Sequence, residues 1–217
     1  MPLRFADGYS TTSTVISFTG LTDARQHVAL ELGRPAAAGL PLVRLHSECL
    51  TGDVFGSQRC DCGPQLREAV ERISKQGGYV LYMRQEGRGI GLYDKLDAYA
   101  LQDRGLDTYD ANLAIGRRAD ERDYTSAAQM LRALGASRIG LLSNNPDKAA
   151  QLARLGITIA RQVPTALHLS ETNAAYLATK ARRGGHDLLR RGVLNGSPSR
   201  PGAGPPAGPA DQGFEGR

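Results

Sequence analysis

Leu42-Val-Arg-Leu-His-Ser-Glu-Cys-Leu-Thr-Gly-Asp-Val-Phe-Gly-Ser-Gln-Arg-Cys-Asp-Cys-Gly63 runs from an apolar strand into a polar stretch that holds all three cysteines of the chain. Residues 42–47 have the β-branched and apolar content of a strand. From Gln65 the period changes: Leu66, Ala69, Val70 and Ile73 recur at helical spacing until Gly77-Gly78. Tyr79-Val-Leu-Tyr-Met83 is then a second apolar strand. A strand, a helix and a strand in this order predict α/β layering.

The cysteines are spaced C-x10-C-x-C. Three thiolates fill three corners of a tetrahedral zinc site and leave the fourth open to water or substrate, the pattern of a working metal rather than a structural one. A bound zinc lowers the pKa of its water to about 7, so the first expectation is a zinc hydrolase. Cys60 and Cys62 read as extended chain pointing to one side, with Gly63 allowing a closing turn. His46, three residues before Cys49, is the candidate fourth ligand; against that, a histidine beside a strand end is more often a hydrogen-bonding group. Buried free cysteines also behave as small hydrophobes, but these lie among polar residues. Nothing points to secretion, which disfavours a disulfide.

Moving outward, Val15–Phe18 and His27–Leu32 read as short strands that supply an antiparallel portion, and residues 35–41 as a turn-rich link. After the second apolar strand comes Arg84-Gln-Glu-Gly-Arg-Gly-Ile-Gly91, ahead of a helix over residues 92–104. Such a turn brings backbone N–H groups toward phosphate oxygens, and Arg84 and Arg88 add forks that match them. The same glycines also suit a plain strand-to-helix connection. Ala111–Gly116 reads as a turn. Arg117–Asp123 is a charged run before a helix with Tyr124, Ala127, Ala128, Leu131 and Leu134 on one face. Ile139–Leu142 is a buried strand. Ser143-Asn-Asn-Pro-Asp-Lys148 opens a helix whose first turn carries Lys148, where a cation is unfavourable unless an anion is near. Residues 157–160 form a further strand and residues 172–183 a final helix. The fold expected is a mixed sheet with flanking helices in one catalytic domain over residues 1–192. Residues 193–217, rich in Gly and Pro, form a tail too poor in apolar side chains to order.

The 217 residues are 41% hydrophobic and 23% charged, with a formal net charge of +5. That composition fits an ordinary globular protein, and the charge suits an anionic partner. No stretch is long and apolar enough for a membrane span, and the N-terminus lacks the core of a signal peptide, so a cytoplasmic protein is expected. Neither a nucleic-acid motif nor a continuous basic face is visible, so neither nucleic acid nor a membrane is expected as a partner.

Taken together, His46-Ser-Glu-Cys-Leu-Thr-Gly-Asp53, Arg59-Cys-Asp-Cys-Gly63, Arg84–Leu92, Ala98-Tyr-Ala-Leu-Gln-Asp103, Ala119-Asp-Glu-Arg-Asp-Tyr124 and Leu142–Lys148 closely resemble the GTP cyclohydrolase II family, over about residues 15–190. The family often carries a dihydroxybutanone-phosphate synthase domain ahead of this one; the chain looks like the stand-alone form. The resemblance implies that Cys49, Cys60 and Cys62 hold zinc. It implies a GTP site lined by Arg44, Leu45, His46, Ser47, Glu48, Gln65, Glu86, Gly87, Arg88, Thr108, Ser143 and Lys148. Asp120 would be the proton acceptor, Arg122 the nucleophile toward the α-phosphate, with stabilisation of charge there as its alternative role, and Tyr99 a tyrosine near the reacting base. The reaction implied is the first step of riboflavin synthesis: GTP and water give formate, pyrophosphate and a diaminopyrimidinone ribosyl monophosphate, with magnesium at the triphosphate and a homodimer as the usual assembly.

Three departures from the family pattern stand out. Tyr93-Asp94 replaces an apolar residue and Asn, Arg117-Arg118 replaces an apolar or small pair, and Ser143 replaces Thr with its hydroxyl kept. The first two raise an alternative, an enzyme that stops after ring opening and releases the formamidopyrimidine nucleotide for a specialised pathway. A non-catalytic nucleotide-binding module with a structural zinc is a third reading; the set Asp120, Arg122 and Tyr99 argues against it.

Overall fold

The computed structural model describes residues 1–170 and Asn173. The helix expected over residues 172–183 and the tail over residues 193–217 lie outside the described residues. Seven strands form one mixed sheet: β1 (Pro2–Arg4), β2 (Ser10–Ser17), β3 (Val28–Leu32), β4 (Leu42–Ser47), β5 (Gly78–Met83), β6 (Arg138–Leu142) and β7 (Thr158–Val163), in the order β1-β2-β3-β5-β4-β6-β7. The pairs from β1 to β3, and β3 with β5, are antiparallel, while β5, β4, β6 and β7 run parallel. The α/β layering and the antiparallel N-terminal portion are thus as expected. The strand β1 was not foreseen, being only three residues long.

The helices are α1 (Leu50–Asp53), α2 (Cys62–Gln76), α3 (Leu92–Gln102), α4 (Thr108–Ala114), α5 (Thr125–Ala133) and α6 (Pro146–Arg154). The stretch Ala111–Gly116, read as a turn, falls largely within α4. The Asp107 side chain accepts the Tyr109 and Asp110 N–H groups and so starts this helix. Among the described residues no helix is long and apolar enough to cross a membrane.

Alternation along the strands gives the sheet two apolar faces. Leu32, Leu42, Val80 and Leu142 pack with Ala69, Val70 and Ile73 of α2. Val43, Leu45, Leu81, Met83, Ile139 and Leu141 pack on the other side with residues of α5 and α6. Each fully buried leucine or isoleucine adds about 1.5–3 kcal/mol relative to leaving it exposed. Along β4 the α2-facing series is Leu42, Arg44, His46, so that face turns from apolar to polar toward the end of the strand. The chain passes from β4 to β5 on one side and then to β6 on the other, so β4 is a topological switch point. Ligands bind beyond the carboxyl ends of such strands.

The segment after β7 is fastened to α2 by Glu68. Its carboxylate accepts the Ala166 N–H at 3.0 Å on each oxygen, pairs with Arg72 at 2.7 Å, and lies 3.0 Å from His168 Nε2. Burial opposes ionisation most strongly, but the bonds from His168, Ala166 and Arg72 together outweigh it and hold the carboxyl at about 2, against an ordinary 4.5. A carboxyl depressed by folding adds stability that is present above its unfolded value and is lost as pH falls through its folded one. With the side chain 14% exposed, the contribution above pH about 4.5 is on the order of 3 kcal/mol. Glu68→Gln is therefore expected to melt several degrees below wild type at pH 7, with the gap closing toward pH 2. Thermal unfolding across that range checks this, and a pH-independent gap would contradict it.

Candidate active site

Three loops follow the parallel strands β4, β5 and β6 and converge on one cleft of about 1090 Å³, counted to its open mouth. The first holds the cysteines, the second Glu86–Gly91, and the third Ser143–Lys148.

Cys49 precedes α1, Cys60 lies in the connecting turn, and Cys62 begins α2. Cys60 and Cys62 are therefore not in extended chain as expected; the helix start turns Cys62 back toward its partners. The three sulfurs lie within 4.8 Å of one another, with Cys49 and Cys60 Sγ 3.7 Å apart. A tetrahedral ion with Zn–S bonds of about 2.3 Å places its sulfurs about 3.8 Å apart, so this trio fits zinc. The electrostatics agree. Hydrogen bonds from Cys60 and Cys62 pull the Cys49 thiol well below its ordinary range. The bond with Cys49, then burial, pushes Cys60 up to about 11, and Cys62 is raised well above its usual value for the same reasons. The pocket accepts one thiolate readily and three only around a cation.

His46 is not a fourth ligand. Its Nε2 lies 3.1 Å from both Asp53 carboxylate oxygens, and burial, the main influence, keeps the ring neutral. Asp53 also accepts the Cys49 N–H at 3.0 Å and the Tyr82 hydroxyl at 2.9 Å, which fixes the cysteine loop on β4 and β5. No periodic pattern betrays this hub.

A methyl group has no room at the base of the trio. A Cβ on Gly52 would sit 2.8 Å from Cys60 Sγ and 3.1 Å from Cys49 Sγ, and one on Gly63 2.5 Å from the Gly52 carbonyl oxygen. Gly63 thus serves close approach of two backbones rather than the turn expected of it. Gly52→Ala is expected to weaken zinc retention about tenfold or more, an overpacking cost of about 1–3 kcal/mol acting on the ligands. Competition against a chromophoric chelator measures it, and wild-type affinity would sink the close-approach argument.

The Arg84–Gly91 loop behaves in two ways. Arg84 is tied to Glu48 at 2.9 Å and does not line the cleft, contrary to its expected phosphate role. Arg88 does line it, held at φ +64° with its guanidinium 4.3 Å from the Tyr109 ring. This left-handed conformation is uncommon for a side-chain-bearing residue. The Arg88 carbonyl accepts the Glu121 N–H at 2.9 Å, which brings the Asp120–Arg122 element to the cleft. Asp120 forks Arg122, with Nε 2.8 Å from Oδ1 and Nη2 on Oδ2. Burial raises the Asp120 carboxyl, but the Arg122 bonds and charge outweigh it and leave it below the ordinary carboxylate range. Arg122 lines the cleft and Asp120 stands behind it.

Of the other residues assigned to the substrate, Arg44, His46, Ser47, Glu48, Gln65, Glu86, Gly87, Thr108, Ser143 and Lys148 line the cleft, as does Tyr99. Leu45 turns its side chain into the core and contributes its carbonyl oxygen, which accepts Lys148 Nζ at 2.7 Å. The Tyr99 hydroxyl is 3.2 Å from Thr51 Oγ1, and burial raises its pKa, keeping it a proton donor. Among the described residues, six cations (Arg44, Arg59, Arg88, Lys95, Arg122, Lys148) line the cleft against two acids, Glu48 and Glu86, a field that favours a polyanion. Among the described residues, Arg44 Nε, Arg88 Nη1 and Asn112 Nδ2 are buried with no hydrogen-bond partner, which is unusual unless a ligand satisfies them.

The family model described as GTP cyclohydrolase II matches residues 4–164. A protein of Psychromonas ingrahamii called GTP cyclohydrolase-2 is 51% identical over 175 residues, covering 80% of this chain and 88% of its own. The chain belongs to the GTP cyclohydrolase II family. A GTP cyclohydrolase-2 of Vibrio cholerae matches with the same identity and coverage, and one of Azospirillum brasilense is 49% identical over 187 residues but over 48% of its own length. The chain is accordingly a hydrolase.

Sequence reasoning missed Arg59, Lys95 and Asn112. Lys95 carried the same signal as Lys148, a cation early in a helix. Asn112 carried none, because its stretch read as a turn. Two of the three departures from the family pattern, Tyr93-Asp94 and Arg117-Arg118, lie off the cleft lining, while Ser143 lines it: Tyr93 is 80% exposed, and Arg117 Nε donates to Asp94 at 2.5 Å, so two of the unusual residues complement each other.

Proposed function

We propose that this chain opens the imidazole ring of GTP at C8 and carries the reaction through to formate, pyrophosphate and the diaminopyrimidinone ribosyl monophosphate. The observation that carries the reading is the opening of the cysteine trio, the Asp120–Arg122 pair and the cationic lining onto a single cleft. Cys49, Cys60 and Cys62 would hold zinc, which when bound supplies Lewis acidity toward water and the purine carbon. Tyr99, linked to Thr51 beside the trio, donates a proton on the base side. Arg44, Arg88 and Lys148, with magnesium, neutralise the triphosphate. Asp120, ionised at neutral pH, orients the Arg122 guanidinium toward the α-phosphate, where its charge stabilises the transition state as water attacks phosphorus and pyrophosphate leaves, and Asp120 takes up the proton of that water. A homodimer is part of the same proposal.

The position of Asp94 and Arg117 outside the cleft supports full reaction over arrest at the formamide. Mass analysis of products after incubation with GTP, zinc and magnesium tests the reading, with formate and pyrophosphate expected in equal amounts. Pyrophosphate without formate would replace it by the shortened reaction, and bound GTP without turnover by a binding module.

A further inference from the structure

Lys95 has no part in the roles above, yet it touches the cysteine trio. It is the fourth residue of α3, and its side chain is 11% exposed. Nζ donates to Cys49 Sγ at 3.1 Å, to Thr51 Oγ1 at 3.1 Å and to Glu86 Oε1 at 2.8 Å. Those three bonds use every donor of an ammonium group. Burying a cation there is costly, and the early part of a helix disfavours positive charge. The compensation must come from the anions it faces. Glu86 is shared: its carboxylate also accepts the Leu50 N–H at 2.6 Å and the Gly87 N–H at 2.9 Å. Backbone donors therefore carry part of the carboxylate charge, and the ammonium retains positive charge for the sulfur.

Three thiolates around a divalent zinc leave one net negative charge, and strong thiolate donation blunts the metal as a Lewis acid. We propose that Lys95 is a positioning residue that draws electron density from the Cys49 thiolate through its hydrogen bond and so keeps the metal electrophilic. The inference rests on the reading that the three cysteines hold zinc. Lys95 also sits one helical turn from Tyr99, with Nζ 5.5 Å from that ring, and Thr51 bonds to both side chains. One ammonium thus fixes the sulfur, the hydroxyl and the tyrosine in register.

Cobalt(II) substitution tests this without relying on turnover, because the thiolate-to-cobalt charge-transfer band reports electron density on sulfur. Lys95→Met and Lys95→Gln are expected to take up one cobalt per chain with the band moved to longer wavelength. Lys95→Arg should return it toward the wild-type position. In the zinc enzymes, kcat for formate release should fall about 10- to 100-fold in the neutral variants, with KM for GTP little changed. If Lys95→Met fails the circular-dichroism check for folding, Lys95→Gln carries the comparison. Normal metal uptake with an unmoved band in the neutral variants overturns the inference and leaves the zinc reading intact. A wild-type chain that takes up neither cobalt nor zinc overturns both.

Discussion

Cys62→Ser is expected to lose zinc and formate release together while remaining folded. The variant keeps two thiolates, and the Cys49–Cys60 contact of 3.7 Å survives. A serine hydroxyl, however, is a neutral and far weaker zinc donor than a thiolate. Cys62 begins α2, and serine is well tolerated at a helix start. The helix is held from further along by Ala69, Val70 and Ile73, all fully or almost fully buried. Its loss of function should therefore come from the metal site and not from unfolding. Metal analysis, circular dichroism and a formate assay on the same preparation separate these effects. A variant that binds no zinc and still releases formate at the normal rate would remove the metal from the chemistry.

The contrast with Gly52→Ala sharpens the point. There the three sulfurs are kept and only the space between them is taken, so weakened binding should be recoverable at high zinc. In Cys62→Ser it should not be.

Much of this site was legible before the structure because its chemistry is local in sequence. The cysteine spacing, the Arg84–Gly91 loop, Asp120 with Arg122, and Ser143–Lys148 each lie within a short run, and the alternation of strand and helix places such runs at strand ends. What was not legible depends on partners distant in sequence. Asp53 joins His46, Cys49 and Tyr82, and only the register of β4 beside β5 brings Tyr82 within reach. Arg84 has the right residue type for phosphate, but Glu48 claims it from across the same pair of strands. The helix α4 was hidden because seven residues give little periodicity and its start depends on the Asp107 cap. Asn112, a cleft donor with no partner among the described residues, was lost with it.

Arg122→Ala is expected to lower pyrophosphate release about 10³-fold or more, the scale on which an arginine acts at a transferring phosphoryl group. Zinc content should be unchanged, because Arg122 is held by Asp120. Formate release should fall as well if loss of pyrophosphate precedes ring opening; its persistence would order the steps the other way. Arg122→Lys keeps the charge and loses the fork. Partial recovery in that variant marks charge stabilisation as the main role, whereas none marks the bidentate geometry as required. The pH profile adds an independent check. Because Arg122 holds the Asp120 carboxyl below the ordinary range, Asp120 stays ionised as pH falls through the usual carboxylate values. Removing Arg122 releases that carboxyl upward, so residual activity that depends on Asp120 should fade at a higher pH than in wild type. Wild-type pyrophosphate release from Arg122→Ala would take Arg122 out of the phosphate chemistry.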